Sequence, residues 1–537
     1  MIKSILQKEF IKLKYFLLLS TIFYIVLLAY YYFNLNFSFS TIEPESMMWY
    51  KFAQLEDKPY SYFLYFYILY GIAFAFTQFL PEVIQKRVKL TIHLPLSLTK
   101  IVLYHAIIAI TIILFFSSIF SIFLLIINSQ YYPKELIYIM IKDSFAFTLI
   151  GIISYILVSS LIIEQNKKIL ILKLLIFVLF IFLSIKSRFF LEDFILYFVL
   201  VLFSLFILLD SFYSIKHQRL GVIYNSLFTI ILIIFSYLSY INYEKNYQKE
   251  FYKYYIFYSD ILDDFVYQKN FGAHRFEYGV KDKKTFNQKE YEATLPFVYY
   301  RDLELQNKLP LIINNKNFSK NEIRDSKLSF DYQVRYLEKK EIDFFPLFNP
   351  QSTVAMIKFA EEFFGFFGKS VKIYDFDNKY LEKSSKKLNE ILKEKDFSFP
   401  AKKIFGKATN IKPFDLGYLI LDNKNNLFNL RKYDNELILK KLNLDKDIEI
   451  EYIHISENRQ KNFSGYVIDK NSNFYLLTWD FELKKLDLAM FDYKSMRLRL
   501  ISEPTHYLVR YDDGNNYFAV RFSKENLQKL NDIKFEE

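Results

Sequence analysis

Seven long apolar stretches in the first 241 residues constrain this chain more than any other feature of its sequence. A helix crossing the roughly 30 Å hydrocarbon core of a bilayer needs about 20 predominantly apolar residues. Such runs occur at 15–34, 61–80, 101–127, 145–163, 169–185, 194–213 and 222–241. Each is apolar on all sides, unlike the one-sided stripe of a soluble surface helix. The charges divide accordingly: residues 1–241 hold 19 Lys+Arg and 12 Asp+Glu, and residues 242–537 hold 50 and 46. The expected architecture is a polytopic α-helical membrane domain of about seven spans at 15–241. A β-rich soluble domain is expected to follow at 242–537.

Orientation follows from Lys and Arg in the short loops. With a cytoplasmic N-terminus, the inside segments 1–14, 81–100, 164–168 and 214–221 carry 12 basic residues. The outside loops 35–60, 128–144 and 186–193 carry six, together with more acids, among them Glu43, Glu45, Glu56, Asp57, Glu135 and Asp143. This bias favours a cytoplasmic N-terminus, and seven spans then leave the C-terminal domain outside the cytoplasm. One span fewer would move that domain inside. The net charge of +11 reads as an orientation signal and not as a nucleic-acid footprint. The opening residues are charged and amphipathic, with no small-residue cleavage site after them, so a cleavable signal peptide is not expected. Lys173 and Asp210, near the inner ends of spans five and six, are expected to reach the interface by snorkelling or local hydration. No ionisable group falls at a span's midplane, which argues against an ion-coupled carrier.

Two inner segments carry more than topology. In residues 1–14, Ile5, Leu6, Phe10 and Leu13 recur at helical spacing with Lys8, Lys12 and Lys14 between them, which reads as an interfacial elbow helix or as an ordinary positive flank. Residues 81–100 place Glu82, Lys86, Arg87 and Lys89 among apolar residues, then Leu94–Pro95–Leu96–Ser97 before span three. This reads as a docking segment or again as a positive-inside loop. With Lys8–Glu9–Phe10 in the elbow and Glu82 directly after span two, residues 1–230 resemble the ABC-2-type permeases, the membrane subunits of ATP-driven transporters. That resemblance implies a bacterial cytoplasmic (inner) membrane protein that transports an unknown substrate. It also implies a cytoplasmic ATP-binding-cassette partner, met through Glu82, Lys86, Arg87, Lys89, Pro95 and Ser97, and assembly as a homodimer or heterodimer. The chain departs from that pattern in having seven spans where six are common, and in its large C-terminal domain.

The soluble half opens on an aromatic-rich exit at 247–258, fitting an interfacial belt. Residues 380–395 read as a helix. Three windows, 417–430, 465–477 and 506–520, each run aromatic, aliphatic, a turn rich in Asp, Asn or Gly, then aromatic and aliphatic again. That is a β-hairpin signature. Their spacing of about 40–50 residues suggests propeller blades, with unrelated but similar hairpins as the alternative. Residues 371–381 read as a weaker fourth copy. The Leu295–Pro296–Phe297–Val298–Tyr299 and Leu309–Pro310 segments, and Lys412–Pro413–Phe414–Asp415–Leu416–Gly417–Tyr418, are similar to a bacterial domain of unknown function, DUF4857, over about 290–435. No activity comes with that resemblance.

Catalytic motifs are missing from the sequence. There is no cysteine, so disulfides and thiolate chemistry are excluded. Gly365–Phe366–Phe367–Gly368–Lys369–Ser370 ends like a phosphate-binding loop, but Phe363 stands where the first glycine is needed. ATP used by this protein must therefore bind another chain. His93, His105, His217, His274, His454 and His506 show no metal-ligand spacing. Neither enzyme chemistry nor a bound cofactor or metal is expected. The two functional readings are a permease-like transporter subunit and a non-transporting anchor that presents a propeller-like binding module.

Overall fold

The computed structural model describes residues 2–42, 51–91, 96–186, 194–247, 253–338, 342–445, 447–459 and 462–536. The chain divides near residue 249 into two compact units, with 377–379 grouped with the first. Pro95, one of the expected docking residues, lies outside the described residues.

The first unit is all helical: α1 (Ile2–Thr41), α2 (Phe63–Ile84), α3 (Val88–Thr91), α4 (Leu98–Asn128), α5 (Lys134–Ile163), α6 (Lys167–Lys186), α7 (Phe194–Ser214) and α8 (Val222–Tyr247). Among the described residues, all of these except α3 are long and apolar enough to cross a membrane, which makes seven candidate spans. The elbow expected at 1–14 is continuous with the first span in α1, because neither Gly nor Pro occurs there to break the helix. Asp143, expected in an outer loop, sits inside α5, where its carboxylate accepts from Lys58 and Tyr60, both at 2.6 Å.

The centre of the bundle is α5, buried along nearly its whole length. Its closest neighbour is α2, and glycines make the crossing. A Cβ on Gly71 would lie 2.2 Å from Gly151 O, and one on Gly151 would lie 2.9 Å from Tyr67 O. Small residues at a helix crossing let two backbones approach when lipid offers no hydrophobic drive to associate. In contrast, α1, α4 and α8 bury only a minority of their apolar side chains. In water such surfaces would be untenable, and a bilayer satisfies them.

The second unit is β-rich. A meander comes first: β1 (Tyr254–Ser259), β2 (Asp264–Asn270), β3 (Phe276–Val280) and β4 (Lys284–Phe286). Then come α9 (Gln288–Thr294), α10 (Tyr300–Leu305), the hairpin β5 (Leu311–Ile313) and β6 (Lys316–Phe318), α11 (Lys320–Ser326) and β7 (Leu328–Tyr332). A three-stranded sheet holds β8 (Phe344–Leu347), β9 (Glu362–Phe367) and β10 (Ser370–Asp375), and α12 (Glu382–Glu394) follows it. Two four-stranded meanders come next. One is β11 (Lys403–Phe405), β12 (Tyr418–Leu421), β13 (Leu427–Tyr433) and β14 (Glu436–Leu442). The other is β15 (Ile450–Ile455), β16 (Gly465–Asp469), β17 (Phe474–Leu477) and β18 (Leu483–Leu486). Last, β19 (Arg497–Ser502), β20 (His506–Asp512), β21 (Asn516–Ser523) and β22 (Lys529–Glu536) join β7 in a five-stranded sheet, and among the described residues no sheet closes into a barrel.

Successive sheets share hydrophobic clusters. Phe364 and Ile373 meet Tyr418 and Phe428; Leu419 and Leu427 meet Ile453 and Val467; Tyr466 and Phe474 meet Leu500 and Val509. The first meander packs on the last sheet through Ile256, Phe265, Leu508 and Ala519. Central strands are therefore covered on both faces, which explains why they read as unbroken apolar runs. The three sequence windows are the hairpins β12–β13, β16–β17 and β20–β21. Their turns share one chemistry. Asp422 Oδ1 accepts from Asn426 N at 2.7 Å, Asp469 Oδ1 from Asn473 N at 2.8 Å, and Asp513 Oδ1 from Asn516 N at 2.7 Å. In each turn the same Asn also donates its side-chain amide to that Asp. Residues 371–381 differ: β10 pairs back onto β9, and Tyr374–Tyr380 is an isolated bridge before α12. The Gly365–Ser370 segment belongs to the β9–β10 hairpin and leads into a strand.

Candidate functional site

The first turns of α1 place Lys8, Glu9 and Lys12 within one helical turn, where positions three and four apart are neighbours. Lys8 and Lys12 reach Glu82, on the last turn of α2, at 3.0 and 3.3 Å. Lys12 also donates to Glu9 at 2.7 Å. Glu9 is fully buried and Glu82 nearly so. On its other side, Glu9 Oε2 accepts from Gln78 Nε2 at 3.0 Å, and Tyr155 of α5 donates to Gln78 Oε1 at 2.6 Å. From α4, His105 brings Nδ1 within 3.2 Å of Glu9 Oε1 without hydrogen-bond geometry. Four helices thus meet at one polar knot, and Lys8, Lys12, Glu82 and His105 line a small cleft with Phe79, Val88 and Phe212. Buried charges at such a place require partners, and both buried carboxylates have them: Glu9 from Lys12, and Glu82 from Lys8 and Lys12.

The expected docking residues separate into two groups. Glu82 points into the knot. Directly after it α2 ends: Lys86 takes a left-handed backbone with φ 56°, which no helix continues. Lys86, Arg87, Lys89 and Ser97 are all exposed, and so are the apolar Ile84 and Leu90 beside them. Ser97 sits at the N-cap of α4. Gln78, His105 and Tyr155 were missed by sequence reasoning. Their signal was present, since polar side chains inside apolar runs are rare and need partners.

A second knot corrects the snorkelling expected of Lys173 and Asp210. Lys173 Nζ is buried and donates to Glu164 Oε2 and Asp210 Oδ2, both at 2.9 Å, and to Ser211 Oγ at 2.8 Å. Arg219 donates to the same two carboxylates at 2.7 and 2.8 Å. Burial opposes charge on Glu164, but hydrogen bonds from Arg219 and Lys173 outweigh it and hold the carboxyl down at about 2. The two carboxylates and two cations neutralise one another inside the bundle, so neither long side chain has to reach for water.

In the soluble unit, Lys412 and Asp415 of the sequence motif meet Glu457. Lys412 Nζ donates to Asp415 at 2.6 Å and to Glu457 at 2.9 Å, with no exposed surface on the Lys412 side chain. Burial pushes the Glu457 carboxyl up to about 7 against the pull of Lys412. Burial also pulls His454 down to about 4 and His506 down to about 3, so both rings are neutral. The Leu295–Val298 segment lines a small cleft with Tyr258, Asp260 and Glu503. Among the described residues, no group of three or more His, Asp or Glu side chains is arranged to hold a metal ion.

A family model described as a domain of unknown function, DUF4857, matches residues 255–520. The match is wider than the 290–435 segment expected from sequence, and it takes in all three of the repeated turns, ending within β21. No curated protein and no solved structure matches the chain.

Proposed function

We propose that this chain is the permease-like membrane subunit of an ATP-binding-cassette transporter, driven by a separate cytoplasmic ATPase. One observation carries the reading. Glu82 is bonded into the α1–α2–α4 knot, while Lys86, Arg87 and Lys89, a few residues on, stand exposed beside Ile84 and Leu90. A partner that moves the exposed segment therefore pulls on buried ion pairs joining the helices. Bistable contacts of this kind let a local event bias a whole bundle. On this reading the N-terminus is cytoplasmic, the membrane is the bacterial inner membrane, and the β-rich unit lies outside the cytoplasm. The meanders, stacked in chain order with equivalent turns, support a propeller-like form for that unit.

The test is co-purification of the full chain from its native host. An ATPase subunit is expected to copurify, and changing Glu82 and Arg87 together to Ala is expected to release it. Stable partners that include no ATPase would sink the proposal. A second reading has its own support: the soluble unit has several cores of its own, as a membrane-anchored binding module would. Under that reading the 81–91 segment tolerates substitution without loss of any partner.

A further inference from the structure

The first meander carries a feature that the transport reading leaves unused. Tyr254, which opens β1, follows Tyr247, the end of α8, by seven residues. An extended chain advances at most about 3.6 Å per residue, so that link spans no more than about 25 Å. Strand pairing then fixes which turn lies at the tethered end. Tyr254 pairs with Lys269, and Asn270 N donates to Lys253 O at 2.7 Å. The β2–β3 turn, residues 271–275, is therefore beside the entry point, and the β1–β2 and β3–β4 turns are at the far end of the sheet.

This turn is held in shape. Asn270 Oδ1 accepts from Gly272 N at 2.8 Å, Phe271 N donates to Arg275 O at 3.0 Å, and Arg275 N donates to Gly272 O at 3.0 Å. Gly272, Ala273 and His274 all have left-handed backbones, with φ of 79°, 49° and 59°. The result turns two aromatic rings outward: Phe271 is 47% exposed and Phe276 39%. Cations flank them. Lys269 Nζ lies 5.2 Å from the Phe271 ring and 5.0 Å from that of Tyr254, and Arg275 is exposed. A lone exposed Phe is ordinary. Two on one preorganised turn, among cations and on a short tether from a membrane span, have the chemistry of an interfacial contact.

We infer that the 271–276 turn is a lipid-binding foot. Phe271 and Phe276 enter the headgroup region of the bilayer that the chain spans, and Lys269 and Arg275 pair with anionic phospholipid. Basic side chains are drawn to an anionic surface by an attraction that salt screens, and the rings add their apolar burial. The foot does not depend on transport or on which side of the membrane the domain lies.

The absence of cysteine makes the test clean. Full-length protein carrying Ala273→Cys, labelled with an environment-sensitive dye, is reconstituted into nanodiscs containing phosphatidylglycerol and a headgroup-level spin-labelled lipid. Asp282→Cys, in the far turn of the same sheet, serves as control. Quenching at 273 is expected to exceed that at 282 by about three-fold or more, and to fall in phosphatidylcholine alone or in high salt. Changing Phe271 and Phe276 to Ser is expected to bring it to the control level. Equal quenching at 273 and 282 in the otherwise native chain would overturn the inference whatever the Ser variants do. Protection of 273 from both lipid-borne and aqueous quenchers would overturn it as well, by showing a protein contact in place of lipid.

Discussion

At the scale of single residues, the chain places charge where it must be matched. Lys173 is the sharpest case, since it is buried between Glu164 and Asp210. Lys173→Met leaves two carboxylates sharing Arg219 alone. Removing one partner of a buried pair costs about 3–5 kcal/mol, because the other charge stays behind. The thermal midpoint of the variant in nanodiscs is expected to drop markedly. Adding Asp210→Leu should recover part of the loss, which a purely steric defect would not allow. The buried imidazoles give a pH signature. His454 titrates near 4 in the fold instead of 6.5, because burial opposes its cation. A depressed folded value means that the stabilisation is complete above pH 6.5 and is lost as pH falls toward 4. The slope is up to about 1.4 kcal/mol per pH unit for the group. Glu457 has the opposite sign, favouring the fold below its unfolded value and losing that as pH rises through about 7. In a Trp49→Phe background, Trp479 fluorescence should follow unfolding of the β-rich unit. His454→Phe is expected to flatten the acid limb by one group's share, and an unchanged limb would assign the slope elsewhere.

At the scale of elements, the α2–α5 crossing depends on two glycines. No side chain fits at Gly71, where an added Cβ would press on the Gly151 carbonyl. Gly71→Leu is expected to force the helices apart and to cost at least about 1–3 kcal/mol, as overpacking does. It should also weaken the Tyr155–Gln78 bond, which spans the same pair of helices. Gly221→Ala is the natural control, with nothing within 4 Å of the added methyl. Comparing thermal midpoints of the two variants checks the argument. The repeated hairpins were legible in sequence because an Asp followed three or four residues later by Asn states its turn locally. The supposed fourth copy at 371–381 failed for the complementary reason. It has aromatic and aliphatic residues and a turn, but no second strand, since α12 begins where that strand would be.

At the scale of the whole molecule, the number of spans governs everything assigned to either end. Seven crossings put the termini on opposite sides of the bilayer, so a tag after residue 537 should be protected from protease added on the N-terminal side. Digestion from that side would make the count even and move the β-rich unit across the membrane. The sequence by itself determined the split into a greasy half and a charged half, the seven apolar helices and the three hairpin turns. All of these are local: a run of about 20 apolar residues or an Asp-Asn turn needs no distant partner to be recognised. Only the tertiary structure decided that Glu82 bonds back to α1 while its neighbours face outward, and that Lys173 is matched internally instead of snorkelling. It alone decided that Gly71 meets Gly151, and that each sheet covers the next. Those facts depend on which residues far apart in the chain come within a few ångströms, and no local spacing encodes that.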